Sequence, residues 1–216
     1  MARHAGIAQV PEAIGAIVSP AAADRLERYV ALLTKWQASH NLIGGRTLDQ
    51  VWTRHIADCA QLVLLRPRAR RWVDLGSGAG LPGLVIAMLL ADQVGAHVHL
   101  IESDQRKCAF LRAAIRETGV TATVHDGRID SVLQRWTEPV DCVTARALAP
   151  LPELLTLAAP LIRQGAIGLF LKGQDLDVEY QAAARYWILD SVKHVNLVES
   201  SGFILEVRGL LPNTAE

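Results

Sequence analysis

The chain has 216 residues, half of them hydrophobic and a fifth charged, which is globular composition and excludes disorder or low complexity. Its 22 Lys+Arg balance 22 Asp+Glu, so a simple polyanion-binding tail is excluded too. The balance hides an asymmetry: residues 1–71 carry 10 Lys+Arg against 5 Asp+Glu, and residues 72–216 carry 12 against 17. Most of the cations are Arg, whose planar fork suits phosphates and base edges, although a GC-rich genome raises the Arg count in the same way.

Residues 1–18 are rich in Ala and Gly, with weak periodicity. Ser19-Pro20 then reads as a helix cap followed by proline at the first helical position. Leu26, Tyr29, Val30, Leu33 and Trp36 follow at helical spacing. His40 to Gly45 breaks that helix, and Thr47 with Gln50 forms a capping box for a second one. Val51, Trp52, Ile56, Cys59, Leu62 and Val63 mark its apolar face. The basic connector Arg66 to Arg71 follows, and the boundary is placed there: residues 1–71 as a basic helical extension, residues 72–216 as the main domain, the whole forming one compact unit.

From Trp72 onward short apolar runs alternate with helices. Strands are expected at Trp72–Leu75, His97–Glu102, Thr121–His125, Val140–Ala145 and Ala166–Leu171. Helices are expected at Pro82–Asp92, Asp104–Thr118, Ile129–Trp136 and Leu151–Arg163. Alternation at this spacing means a parallel sheet covered on both faces. After a further helix, Leu176–Ile188, two strands at Val192–Val198 and Phe203–Gly209 are joined by a link too short for anything but an antiparallel pair.

Cys59, Cys108 and Cys142 lie far apart and no signal peptide is evident, so a reducing cytoplasm without disulfides is expected. The uncharged stretch from Leu75 to Ala91 is broken by four glycines and a proline, too short and interrupted for a membrane span.

The strongest chemical signal is Asp74-Leu75-Gly76-Ser77-Gly78-Ala79-Gly80-Leu81-Pro82-Gly83. A strand ends in a glycine-rich turn that opens a helix, where backbone can approach a ligand and free N–H groups converge. A tight turn without a ligand is the plain alternative. Asp74 would repel a pyrophosphate but suits a cationic ligand. Glu102, ending the next strand, can accept both hydroxyls of an adenosine ribose, with helix capping as the alternative. His125 to Asp130 ends the third strand, where an adenine edge could find an amide and a carboxylate, or where the turn is merely capped. Arg146 ends the fourth strand and Lys172 the fifth, both at the edge that faces the ligand crevice in an open α/β sheet. His97 and His99 share a strand face but no third ligand is evident, so no metal is expected. The cysteines read as core.

At this point the chain resembles the bacterial small-subunit rRNA guanine-N7 methyltransferases, also called the glucose-inhibited division protein B family. The resemblance runs through Asn41-Leu42-Ile43, Arg54-His55-Ile56-Ala57-Asp58, the glycine turn with its Leu-Pro-Gly extension, Thr144-Ala145-Arg146-Ala147-Leu148-Ala149 and Leu171-Lys172-Gly173. Cys59 stands where the family usually has serine. The resemblance implies a class I, Rossmann-like methyltransferase fold: a seven-stranded, mostly parallel sheet ending in an antiparallel hairpin, with an N-terminal helical extension. It implies S-adenosylmethionine as methyl donor and guanine 527 of 16S rRNA, in the small ribosomal subunit or its precursor, as target. By position, Gly76, Leu81, Ile129, Asp130 and Arg146 would contact the cofactor, with Glu102 at its ribose; Asp74, Gly78 and Gly80 belong to the same loop.

Guanine nitrogen-7 carries no proton at neutral pH, so transfer needs alignment and a shaped site, not a base. No clear catalytic base is expected; Arg146, Lys172 and His55 are the positioning candidates, and Arg146 could hold either guanine oxygen-6 or the methionine carboxylate. Arg54, Arg68, Arg70, Arg71 and Lys172 are the RNA-binding candidates. A monomer is expected. Two rivals stand beside this reading: an NAD-dependent oxidoreductase, which leaves Asp74 and the terminal hairpin unexplained, and a non-catalytic RNA- or division-associated protein.

Overall fold

The computed structural model describes residues 6–199 and 202–214, with backbone alone at 45–47. Among the described residues three α-helices precede the sheet: α1 Glu12–Gly15, α2 Pro20–Gln37 and α3 Asp58–Leu65. The strands are β1 Arg71–Leu75, β2 His97–Glu102, β3 Ala122–Asp126, β4 Cys142–Arg146, β5 Ile167–Lys172, β6 Trp187–Val195 and β7 Phe203–Pro212. Helices α4 Gly83–Leu90, α5 Gln105–Thr118, α6 Ile129–Leu133, α7 Leu151–Ile162 and α8 Leu176–Ala184 alternate with the first five strands and lead into the sixth. The seven strands form one sheet in the order β3-β2-β1-β4-β5-β7-β6. β1 to β5 are parallel, and β7 lies antiparallel between β5 and β6. This is the sheet that the alternating pattern and the short final link required.

Apart from the buried Asp74, the side chains of β1 from Trp72 to Leu75 are apolar and enter cores on both faces. Trp72 joins a core with Leu84, Leu100 and Phe110 on one side, while Val73 and Leu75 join Leu154, Leu155 and Phe170 on the other. A parallel strand sandwiched between helix layers has no solvent face. α2 starts as expected, with the Ser19 hydroxyl accepting the Ala22 N–H at 3.1 Å and Pro20 in the first position. Its buried face, Leu26, Tyr29 and Leu33, enters the Trp72 core.

Several elements depart from the expected boundaries: α6 ends at Leu133 and not Trp136, β6 runs Trp187–Val195 and not Val192–Val198, and β7 extends to Pro212. The second N-terminal helix is not uniform: a 3-10 segment Gly45–Gln50 leads into a π-helical segment Val51–Ala57 and only then into α3. The π-helical segment buries Val51, His55, Ile56 and Ala57, and the burial continues without a break into α3 from Asp58 to Val63. The Thr47 part of the expected capping box lies outside the described side chains. The helix after β5 stops at Ala184, not Ile188, because Trp187, Ile188 and Leu189 pair with Leu210 to Pro212 as the start of β6. Alternating aromatic and branched residues beside an open strand favour the ladder over another helical turn. Among the described residues no helix is long and apolar enough to cross a membrane.

The strand order reverses at β1, with β2 on one side and β4 on the other. Carboxyl ends of strands flanking such a reversal form the ligand crevice of open α/β sheets.

Candidate active site

The glycine turn after β1 is shaped by backbone that only glycine adopts easily. Gly76, Gly78 and Gly80 have φ of 65°, 55° and 85°. A Cβ on Gly76 would also stand 2.5 Å from Leu148, and one on Gly83 2.3 Å from Leu100 and 2.7 Å from Asp74, so α4 packs on the sheet only through glycine. The N-terminal extension locks the turn from outside, since the buried Tyr29 hydroxyl donates to the Ala79 carbonyl at 2.7 Å.

Asp74 lies beneath this turn and not in a cavity wall. It is 1% exposed; one oxygen accepts the Gly83 N–H at 3.1 Å and the other the Thr144 hydroxyl at 3.0 Å. Burial pushes its carboxyl up to about 7. Its place is to hold the turn and α4 on the sheet.

Glu102 accepts three backbone N–H groups: Gly78 at 2.8 Å on one oxygen, Ser103 at 2.8 Å and Asp104 at 2.9 Å on the other. Asp104 is the separate cap of α5, accepting from Arg106 and Lys107. The capping role weighed for Glu102 therefore falls to Asp104. Its carboxylate borders a cavity of about 340 Å³ together with Gly76, Ile101, Ile129, Asp130 and Leu148. Residues drawn from four separate turns of the chain are thus brought together.

A second cavity, about 300 Å³, joins the first at Gly76, Lys107 and Ala147. Its walls include Leu42, Ile43, His55, Gly78, Leu81 and Arg146. Gly80 lies in neither wall; it is buried in the turn against Leu84. A third cavity, about 310 Å³, continues past Arg146 and Ala147 to Asp58, Lys172, Glu179 and Asn196. The three lie side by side along the carboxyl edge, and Ala147 borders all of them. Ala147 has φ of 50°, a left-handed conformation that costs a non-glycine residue about 1–3 kcal/mol and tends to mark functional sites. The sequence marked Ala147 only as part of the Thr144–Ala149 element, with no role of its own.

Arg146 is clamped by the π-helical segment and α3. Its guanidinium donates to the Arg54 carbonyl at 3.0 Å, meets Cys59 Sγ at 3.7 Å, and stands 3.4 Å from the Asp58 carboxylate. Asp58 is itself buried and fixed by Asn196 at 2.7 Å and Gln61 at 3.1 Å. Gln61 also donates to Asn196 Oδ1 at 3.0 Å and accepts the Leu197 N–H at 3.0 Å, tying the hairpin link to α3. No isolated sequence signal pointed to Gln61 or Asn196, which lie far apart in the chain.

His55 is 7% exposed, and burial followed by the charges of Arg146 and Arg54 brings it down to about 4, so it is neutral at physiological pH. Lys172 reaches Glu179 at 2.5 Å and the Ala149 carbonyl at 3.3 Å. The thiols are inert: burial pushes Cys59 and Cys142 up to about 12 and Cys108 up to about 11. Among the described residues no group of three or more His, Cys, Asp or Glu is arranged to hold a metal ion.

The basic connector is not brought to this edge. Arg68, Arg70 and Arg71 lead into the amino end of β1, while the cavities open past its carboxyl end. Arg71 pairs with Asp141 at 3.1 Å, and Arg70 donates to the carbonyls of Pro67 and Ala69. Arg54, by contrast, sits at the cavity edge, half-exposed, 3.6 Å from Glu199.

A family model described as rRNA small subunit methyltransferase G matches residues 22–206. A protein of Bradyrhizobium sp. (strain ORS 278) named ribosomal RNA small subunit methyltransferase G is 50% identical over 183 residues, covering 85% of this chain and 82% of that protein. A protein of the same name from Parvibaculum lavamentivorans is 52% identical over 194 residues, covering 89% and 85%. Among solved structures, an O-methyltransferase from Bacillus cereus in complex with SAH has a TM-score of 0.60 at 18% identity, covering 85% of this chain and 91% of that one. The O-methyltransferase TomG from Streptomyces achromogenes, in complex with SAM, has a TM-score of 0.57 at 16% identity, covering 85% and 89%.

Proposed function

The chain belongs to the rRNA small subunit methyltransferase G family, and from that premise we propose that it transfers a methyl group from S-adenosylmethionine to nitrogen-7 of guanine 527 in 16S rRNA. It is a methyltransferase of class I fold, which leaves the NAD-dependent alternative without support. The observation that carries the finer reading is the row of joined cavities whose walls hold Gly76, Glu102, Ile129 and Asp130 at one end and Arg146 at the other.

S-adenosylmethionine supplies an electrophilic methyl on a cationic sulfonium. The residues present fit it: a glycine turn that a Cβ would obstruct, an acid at the end of β2, and a cation across the second cavity. Glu102 would take the ribose hydroxyls, Ile129 and Asp130 would border the adenine, and the amides of the turn would line the path between. Arg146, already oriented by Asp58, offers its guanidinium to the methionine carboxylate.

Nitrogen-7 attacks with a lone pair that is already free, so the enzyme needs to move no proton. The neutral, buried His55 is consistent with this: it shapes the second cavity without titrating near pH 7. The rate therefore comes from holding donor and base in line and excluding water. The enzyme would act as a monomer in the cytoplasm, on the small subunit or its precursor. Mass spectrometry of 16S rRNA from a deletion strain tests the assignment. One 7-methylguanine should disappear and return with the wild-type gene; an unchanged rRNA would refute it.

A further inference from the structure

The row of cavities has a third member that the cofactor does not need. It lies between the carboxyl ends of β4 and β5, shares Arg146 and Ala147 with the second cavity, and at about 310 Å³ is within the range of small-molecule sites, ~300–1,000 Å³. Resting on the methyl-transfer reading above, we infer that this cavity receives the target guanine and that the Lys172–Glu179 pair reads its oxygen-6 together with its N1–H and N2–H₂ edge.

The other charged groups of the wall are already committed. Asp58 is taken by Arg146, Gln61 and Asn196, and the Arg146 guanidinium, oriented by Asp58, Cys59 and the Arg54 carbonyl, has its remaining N–H groups assigned to the methionine carboxylate. Glu199 is turned to Arg54 at the rim, and Asp175 is exposed there. Lys172 and Glu179 differ in being fixed but not exhausted. The Lys172 side chain is 10% exposed, and its ammonium is held by Glu179 Oε2 at 2.5 Å and the Ala149 carbonyl at 3.3 Å, which leaves one N–H over. Glu179 accepts both Lys172 and the Leu151 N–H, at 2.6 Å, on Oε2; its Oε1 accepts nothing among the described residues.

The pair thus offers a donor beside an acceptor at the cavity wall. Guanine presents the complement, an oxygen acceptor beside N–H donors. Adenine presents the reverse order, an amino donor beside a ring-nitrogen acceptor, and would set donor against donor and acceptor against acceptor. A site built to hydrogen-bond a polar edge discriminates strongly, because the wrong base leaves buried polar groups unpaired. Reading this edge also leaves nitrogen-7 without a protein hydrogen bond, as an attacking lone pair requires.

The test pairs a substitution in the protein with one in the RNA. Small subunits are reconstituted on 16S rRNA that carries guanine or inosine, which lacks the 2-amino group, at the target position. For the wild type, inosine should lower kcat/KM by about 5–150-fold, the scale of one good base contact. E179Q should lose a similar factor on guanine and become indifferent to inosine, while its calorimetric affinity for S-adenosylhomocysteine stays within twofold. Should E179Q not fold, E179D withdraws the carboxylate from the edge and is read in the same way. Equal wild-type rates on guanine and inosine would overturn the inference, as would an undiminished inosine penalty in the folded variant. Absence of methyl transfer to any RNA by the wild type would instead sink the reading beneath it, and the inference with it.

Discussion

Glu102 and Asp74 are carboxylates at the ends of adjacent strands, and their surroundings separate their tasks. Glu102 borders the first cavity and spends its charge on three backbone N–H groups, one of them on the glycine turn. Glu102→Ala should therefore weaken S-adenosylhomocysteine binding by about 1.5–3 kcal/mol, the scale of hydrogen bonds to a charged group; unchanged calorimetric affinity would remove it from the site. Asp74 is buried, with its carboxyl pushed up from 3.8 to about 7. In the folded protein it keeps its proton between those values while the unfolded chain loses it, so its contribution to stability is whole below about pH 4 and is lost as pH rises through 7. Asn fits the same place, accepting from Gly83 and donating to the Thr144 hydroxyl. Between pH 5 and 7 the wild type should lose about 1–3 kcal/mol relative to Asp74→Asn, at about 1.4 kcal/mol per unit, with the difference levelling off above pH 7. Urea midpoints running parallel for the two proteins would show that Asp74 does not titrate there.

The strands, their alternation with helices and the closing hairpin were legible because each rests on local pattern. Trp72, Val73 and Leu75 place apolar side chains on both faces of β1, and the seven residues 196–202 are too few to carry the chain from β6 back into a parallel partner. The cofactor side of the site was legible for a related reason: Gly76, Glu102 and Asp130 each end a strand or open a helix, and the sheet does the rest. What was not legible depends on contacts across the chain. Nothing in Val51 to Ala57 distinguishes π-helical from α-helical turns until Arg146, from β4, needs the Arg54 carbonyl. Nor does Asn196 announce itself, although it ties the link after β6 to α3 through Asp58 and Gln61. It accepts from Gln61, Val198 and Glu199 and donates to Asp58, all while buried. Asn196→Ala should cost about 2 kcal/mol, since buried partners are left unsatisfied. That is a fall in Tm of about 4–8 °C for a chain of this size. A shift under 1 °C would mean that the network is slack in solution.

On the scale of the whole molecule, the sheet has two ends and they carry different charges to different neighbours. The composition placed the excess of cations in residues 1–71, and the basic connector was the natural RNA contact. In the folded chain that connector enters the amino end of β1, with the strand's five residues, roughly 15 Å, between it and the edge where the cavities open. Arg71 is moreover paired with Asp141. The cavity edge has its own cations: Arg54 on the π-helical segment, Arg106 in the first turn of α5 and Arg128 just before α6, the last 80% exposed at its side chain. An RNA that delivers a base to the third cavity must lie across this edge, so these are the phosphate contacts to expect. Neutralising Arg54, Arg106 and Arg128 together should flatten the slope of log affinity against log salt by roughly 2–3 units, one for each lost contact. Neutralising Arg68, Arg70 and Arg71 should change it less. Cofactor affinity should hold in both triple variants, which separates loss of RNA contact from collapse of the site. If the connector variant lost the slope and the edge variant kept it, the RNA would have to wrap around the sheet to its opposite end. The basic extension would then be the primary dock, and the cavity edge would receive only the flipped base.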